Sequence, residues 1–297
     1  MRVLVIGDTH IDDPYLDELK LVFDEILTHK ADKVIHLGDY YNSNKPTPKC
    51  MEFGTKMATR LLEQYKDVTV LAGNGRHNWL EDYSVVGYLS YLGVKVMGME
   101  LEQELDGKKC FFGHYMTNES YKEYGSHEYT VADLQKYDIV LLGHQHIPQE
   151  ITPKIHHVGS SIYQHFNEVK DPSKRLAVIE NGVLSFIPLK SPIPMKDCTS
   201  AKEIDATDAR TKVRFLIPDF QTFKNEVGNF KRWKEKFVEF KHDLRFEKTH
   251  TQAQTEKIQS KEKASSSEII MSEVEEIKDN EVKLLVKQQF ESLLKKK

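Results

Sequence analysis

Residues 139–146, IVLLGHQH, decide the fold. Four apolar residues make a short buried strand. Gly143 lets the backbone turn sharply where the strand ends. His144 and His146 follow on the loop, close enough to serve one metal centre. A single His-x-His pair is ordinary in a surface loop; repetition gives it meaning. The order of apolar run, glycine and metal-competent side chain occurs four more times: VLVIG before Asp8, VIHLG before Asp39, VTVLAG before Asn74 and CFFG before His114. In α/β sheets, ligands gather beyond the carboxyl ends of the strands. Five strand ends, each with an oxygen or imidazole donor, therefore describe one site.

Working outward, Asp8-Thr9-His10 places a carboxylate and an imidazole at the first strand end. Taken alone, Asp8 is equally a helix cap ahead of Pro14. Leu16, Leu19, Phe23, Ile26 and Leu27 then keep helical spacing, which gives a βα unit. The second strand ends at Asp39. Pro46 and Pro48 are expected to keep the loop NSNKPTPK out of a helix. Phe53, Met57, Leu61, Leu62 and Tyr65 mark the next amphipathic helix. His36 inside its strand and His29 on its helix are assigned to the core. LEQELDGKKCFFGH is a hairpin turning on Asp106-Gly107. YMTNESYKEYGSHEYT is expected to be a long surface loop, and His127 within it has no evident partner. VADLQKY is a short helix. IHHVGSSIY and RLAVIENGVLSFIPL supply closing strands, with Asn181-Gly182 at a tight turn. His156 and His157 alternate faces and are taken as structural.

After Lys190 the texture changes. SPIPMKD is a proline-broken linker, and TKVRFLI is a strand. Phe220, Phe223, Val227, Phe230, Trp233, Phe237, Phe240 and Leu244 step by three and four, a helical stripe. Lys224, Lys231, Arg232, Lys234, Lys236 and Lys241 form its solvated face, or alternatively a phosphate-backbone contact. Residues 248–268 are polar and make a flexible linker. Helical periodicity returns with Ile270, Val274, Ile277, Leu285 and Phe290. A short amphipathic helix beyond a linker cannot bury its stripe alone, so it is expected to dock on a partner. The expected divisions are 1–190, 191–247, 248–268 and 269–297.

The 297 residues suffice for a core and a second small domain. A net charge of −4 argues against a globally basic nucleic-acid binder but leaves room for a local patch. Cys50, Cys110 and Cys198 are odd in number and far apart, which fits a reducing compartment and excludes a cysteine zinc site. The chain shows no signal-peptide pattern and no 18-residue apolar run. A soluble, cytoplasmic protein without membrane contact is expected.

Asp8, His10, Asp39, Asn74, His114, His144 and His146 are oxygen and nitrogen donors, too many for one tetrahedral zinc. They suit two ions sharing a carboxylate, and mixed imidazole and carboxylate ligands favour manganese, iron or zinc. Two such ions stabilise the attacking and leaving oxygens of phosphoester cleavage. A neighbouring imidazole can protonate the leaving oxygen.

The ordered set D-x-H, GD, GN…H, GH and GHxH resembles the calcineurin-like metallophosphoesterase family over residues 1 to about 190. The resemblance implies an α/β fold: a two-sheet β-sandwich core flanked by helices, a small α+β capping domain and a C-terminal helical tail. It implies that Asp8, His10, Asp39 and His146 hold one metal, and that Asp39, Asn74, His114 and His144 hold the other. His77 would stand by the scissile phosphate. Within that family, GDYYNSNKPTPKCMEF (38–53) and GSSIYQHFNEVKDPSKRLAVIENGVLSFIPL (159–189) resemble the SbcD-type nucleases of double-strand-break repair. That narrower likeness implies manganese, with magnesium, iron or zinc as alternatives. It also implies action on duplex DNA ends and single strands, a homodimer, and an SbcC-type coiled-coil ATPase bound through residues 269–297. Other superfamily activities, a nucleotide phosphodiesterase or a protein phosphatase, stay open.

The third motif departs from the family's ungapped Gly-Asn-His. Here Gly75 and Arg76 stand between Asn74 and His77. Aligning on His77 would put Arg76 at the ligand position, which a guanidinium cannot fill. Asn74 is preferred because VTVLAG runs directly into it, and Gly75-Arg76 are expected to bulge. Asn42 stands where some relatives carry a second active-site histidine, and it can only hydrogen-bond. These departures motivate another alternative, a catalytically weakened scaffold that presents DNA ends.

Overall fold

The computed structural model describes residues 1–80, 82–120, 128–170 and 173–245, with residue 287 alone beyond them. His127, the polar stretch 248–268 and, apart from residue 287, the segment 269–297 lie outside the described residues. Two units divide the chain, Met1–Pro194 and Met195–Lys297.

The larger unit begins with β1 (Arg2–Ile6), α1 (Leu16–Ile26), β2 (Lys33–His36), α2 (Pro48–Gln64) and β3 (Asp67–Leu71). The turn α3 (Gly75–Asn78) and the short strands β4 (Trp79–Leu80) and β5 (Tyr83–Ser84) follow, then β6 (Lys95–Met97), β7 (Glu100–Leu105) and β8 (Lys108–Gly113). It ends with α4 (Val131–Leu134), β9 (Ile139–Leu142), β10 (Gln149–Thr152), β11 (Ile155–His157), β12 (Arg175–Glu180) and β13 (Val183–Pro188). One sheet has the order β13-β12-β1-β2-β3-β6 and the other β10-β11-β9-β8-β7. β1, β2, β3 and β6 are mutually parallel, as are β8, β9 and β11. Parallel strands of one sheet finish on the same side, so the donors after β1, β2 and β3 share an edge, as do those after β8 and β9.

The near-continuous apolar text of these strands has a reason: both faces are covered. Val3, Val5, Ile35 and Leu37 face Cys110, Phe112, Ile139 and Leu141 between the sheets. Leu4, Ile6, Val34 and Val68 point the other way, onto Leu19 and Phe23 of α1 and Met57 and Leu61 of α2. Phe111, Val140 and Leu142 meet Leu134 and Tyr137 outside the second sheet. The result is a helix-sheet-sheet-helix sandwich. Asp106-Gly107 and Asn181-Gly182 turn their hairpins with positive φ at both residues.

Three expectations need correction in this unit. Pro48 opens α2 instead of blocking it, because the first helical residue needs no N–H, and Thr47 caps the turn by accepting from the Cys50 amide. His29 lies in the turn after α1. The described ends of 115–130 are only partly superficial: Asn118, Glu119 and Glu128 are exposed, but Met116, Thr117 and Ser120 are buried. Thr117 bridges to Tyr129, and Ser120 Oγ meets His157 Nε2 at 2.7 Å, so these polar groups are satisfied inside.

In the smaller unit β14 (Met195–Cys198), α5 (Ala201–Asp205), β15 (Lys212–Ile217), α6 (Phe220–Glu226), α7 (Phe230–Lys236) and β16 (Glu239–Leu244) alternate. Its three strands are parallel in the order β14-β15-β16, so the helices are crossovers between them. Met195-Lys196-Asp197 thus belong to a strand, not a linker. The aromatic stripe is not one helix. A 3-10 turn at Val227–Asn229 separates α6 from α7, and Phe240 and Leu244 lie on β16. Spacing by four is in phase with both the helical and the strand period, which is how a strand passed for helix. Phe223, Val227, Phe230, Trp233 and Phe237 are buried around Phe215. Among the described residues no helix is long and apolar enough to cross a membrane.

Candidate metal centre

Backbone strain marks the site before any side chain is considered. Among the described residues five non-glycine positions have positive φ, and two of them, Asp106 and Asn181, belong to hairpin turns. The other three are His10 (φ 45°), Asp39 (φ 47°) and His144 (φ 72°), all at strand ends. Such backbone costs of order 1–3 kcal/mol per residue and persists where the surroundings over-determine it. The glycines of the repeated pattern do more than turn. A Cβ on Gly143 would lie 2.7 Å from Asp8 Oδ1 and 2.9 Å from His114 Nδ1. One on Gly73 (φ +77°) would lie 2.4 Å from Asp39 Oδ1. Only glycine lets the donors sit this close to the chain.

The structure gathers all seven sequence-derived donors. Asp8, His10 and His146 form one group and Asp39, His114 and His144 another, with ligand atoms of each within 4.8 Å of one another. His10, Asp39 and His77 make a third, overlapping group. Asp39 joins the two: its Oδ2 lies 3.2 Å from His114 Nε2 and 3.8 Å from His10 Nε2. Asp8 is fixed by the His144 amide, which donates to both its oxygens at 3.0 and 3.2 Å. Asn74 lays its amide against Asp39 Oδ2 (3.3 Å) and His144 Nδ1 (3.1 Å). Turning that amide over would present Oδ1 to the same point.

Electrostatics suit a cation. Burial pushes the Asp39 carboxyl up, but His114, His10 and His77 outweigh it and hold it well below the usual range. Asp8 is likewise lowered, with His114 and the His10 imidazole 3.8 Å away overcoming burial. Burial pushes His114 down, yet Asp39 and Asp8 lift it to about 9. Its Nδ1–H donates to the Leu37 carbonyl at 2.9 Å, and its buried Nε2, turned to Asp39, has no hydrogen-bond partner. Burial lowers His10, against the pull of the Asp8 and Asp39 carboxylates, each 3.8 Å from its Nε2. His36, lowered to about 4 by burial, is the neutral core residue expected; it braces Thr9 Oγ1 at 3.1 Å.

Two ionised carboxylates, orphaned imidazole nitrogens and an oxygen-and-nitrogen donor set fit a pair of divalent cations. Asp8, His10 and His146 with Asp39 would hold one, and Asp39, His114 and His144 with Asn74 the other.

A cavity of about 380 Å³ opens over these groups, lined by His10, Asp39, Asn42, Asn74, His77, His144, His146, Gln164 and His165. The inserted Gly75-Arg76 does not bulge. It opens the helical turn α3, closed by the Asn78 amide on the Asn74 carbonyl at 3.0 Å. Residues three apart share a helix face, so His77 comes up beside Asn74. Its ring meets that of His10 edge-on at 4.8 Å. His77 Nδ1–H donates to the backbone carbonyl of Asn42 at 2.6 Å. Asn42 lines the cavity as expected of a hydrogen-bonding residue there, and its Nδ2–H donates to Asp12 Oδ2 at 2.8 Å.

Sequence reasoning missed four residues. Asn78 is fully buried and donates to Asp39 Oδ1 at 2.5 Å. Its one signal was an asparagine one helical turn after Asn74. Gln164 and His165 line the cavity, and Glu168 backs His146. No strand end introduces these three.

Residues 1–162 match the family model described as calcineurin-like phosphoesterase superfamily domain. No curated protein sequence matches the chain. Among solved structures, a single mutant of Vps29 from Entamoeba histolytica is similar at 18% identity, covering 64% of this chain and 98% of that one, with a TM-score of 0.39. YfcE, a phosphoesterase from E. coli, is similar at 17% identity, covering 64% and 94%, TM-score 0.38. The Pseudomonas putida nuclease MPE is similar at 15% identity, covering 62% and 87%, TM-score 0.35. At these scores the likenesses carry no weight for activity.

Proposed function

Because the chain belongs to the calcineurin-like phosphoesterase superfamily, we propose that it is a two-metal phosphodiesterase that cuts DNA, the nuclease subunit of an SbcCD-type repair assembly. One observation carries the hydrolase reading: Asp39 stands between two donor groups beneath a cavity that His77 overlooks. When bound, the two cations would polarise the phosphoryl oxygens and supply the nucleophile for in-line attack. The chain's own residues do the rest. Asp8 and Asp39, kept ionised, provide the charge that holds the pair. His77, its Nδ1–H committed to the Asn42 carbonyl, has Nε2 for the leaving oxygen and delivers its proton there from the imidazolium form. The weakened-scaffold alternative loses its motive, because α3 returns His77 to the cavity despite the inserted residues.

The choice of DNA is supported by residues 38–53 and 159–189, whose text resembles the SbcD-type nucleases. The second of these segments delivers Glu168 to His146. Manganese is the proposed metal. The proposal includes a homodimer and an SMC-like coiled-coil ATPase docked on residues 269–297. Rates on linear duplex DNA, single strands and a small bis-phosphodiester, each with Mn²⁺, test the substrate class. Cleavage of the small ester alone would overturn the DNA reading. Removing residues 269–297 should abolish co-purification with the coiled-coil ATPase and leave metal content intact; persistent binding would overturn the tail assignment.

A further inference from the structure

His146 is held from behind by a buried carboxylate. Its Nδ1–H donates to Glu168 Oε1 at 3.4 Å, which frees Nε2 for the group it forms with Asp8 and His10. The same Oε1 accepts the backbone amides of Gln164 (3.2 Å) and His165 (2.9 Å), two residues of the cavity wall. Oε2 accepts from Lys174 Nζ at 2.6 Å. Lys174 Nζ also donates to the His146 carbonyl and to Ser160 Oγ, each at 3.0 Å. The Lys174 and Glu168 side chains are 0% and 1% exposed.

A buried ion pair is weak evidence of stability, since an apolar pair of equal volume holds a loop as well. An apolar pair cannot choose which imidazole nitrogen carries the proton. A carboxylate behind a ligand histidine does, and losing such a partner typically costs 10–100-fold in metal affinity. Glu168 reaches one donor group only. Neither His114 nor His144 shows a contact with it; His114 is instead fixed by the Leu37 carbonyl.

We propose that Glu168, backed by Lys174, is the positioning residue of His146: it keeps the proton on Nδ1 so that Nε2 faces the cation shared with Asp8 and His10. This rests on the metal-dependent reading above. The test is Mn²⁺ titration of metal-free protein by calorimetry. Glu168→Met/Lys174→Met removes both charges and the acceptor at similar volume. Glu168→Gln/Lys174→Met gives the acceptor back. Wild type is expected to take up two ions. The first variant should bind one as wild type does and the other about 10–100-fold more weakly, and the second should recover most of that loss. Unchanged uptake of both ions, or equal weakening of both, would overturn the proposal. Because the double methionine variant could fail to fold, the ¹⁵N-histidine spectrum of metal-free wild type gives a second reading. Nδ1–H on His146 is expected there, and Nε2–H would overturn the assignment. Wild type that takes up no pair of ions would instead remove the two-metal reading itself.

Discussion

His10 and His146 aim their Nε2 atoms at each other across 2.9 Å. These are the two imidazoles of one donor group, and at that distance two unprotonated nitrogens would repel each other. A proton between them relieves the repulsion partly; a cation relieves it fully and also satisfies Asp8. The metal-free protein should therefore be the less stable form. Saturation at 100 times the dissociation constant adds about 2.7 kcal/mol per ion. In a unit of this size that is a rise of roughly 5–10 °C in Tm per ion. Melting the chelated protein with and without Mn²⁺ measures it, and a Tm indifferent to the metal would contradict the arrangement.

His77 takes part in the overlapping group with His10 and Asp39 but owes its position to α3 and the Asn42 carbonyl. His77→Ala should lower kcat on DNA by about 10²–10⁴, the range for a general acid, while both ions stay bound. Metal content by elemental analysis beside kcat separates the two effects. Loss of an ion would make His77 a ligand, and an undiminished kcat would leave it no role in proton transfer.

Which parts of this centre were legible in the sequence follows from how each residue arrives. Asp8, Asp39, Asn74, His114 and His144 each follow an apolar run and a glycine, so one local pattern announced strand, turn and donor together. Parallel pairing then brought them to common edges. Glu168 and Lys174 arrive from a segment without strand periodicity, and a tertiary contact alone reveals their work. The aromatic stripe of the smaller unit failed for another reason. Its spacing satisfied two periods at once, and Gly228, which lies in the break between α6 and α7, counts weakly in a pattern of apolar positions.

Asn78 belongs to that less legible class and gives the next prediction. Its Nδ2–H holds Asp39 Oδ1 opposite the oxygen that faces His114 and His10. Asn78→Ala removes the shorter of two donors on that oxygen, leaving the Asn74 amide at 3.2 Å, and loosens the shared carboxylate. Because Asp39 serves both donor groups, both ions should weaken, by about 10–100-fold. This differs from the one-sided loss expected at Glu168. Calorimetric titration distinguishes them, and a one-sided loss at Asn78 would count against Asp39 as the shared ligand.

Glu25 supplies a prediction in pH. On α1 its carboxylate accepts the amides of Lys190 (2.9 Å) and Ser191 (2.8 Å), tying the end of the larger unit to the helix. Burial raises this carboxyl, but those donors outweigh it and leave it below its ordinary value of 4.5. A carboxylate lowered in the folded state stabilises that state fully above the unfolded value. The contribution is lost as pH falls through the lower, folded value. Glu25→Gln keeps the shape and removes the charge, so it should cost about 0.5–1 kcal/mol at pH 7, a small figure because the group is only partly buried and solvent still screens it. The Tm gap between wild type and variant should then close as pH drops below 4.5 toward 3. Thermal melts of the two proteins across pH 7 to 3 check this. The shared metal centre cancels in the difference, so a gap that stays constant to pH 3 would show that the Glu25 charge does not hold the segment.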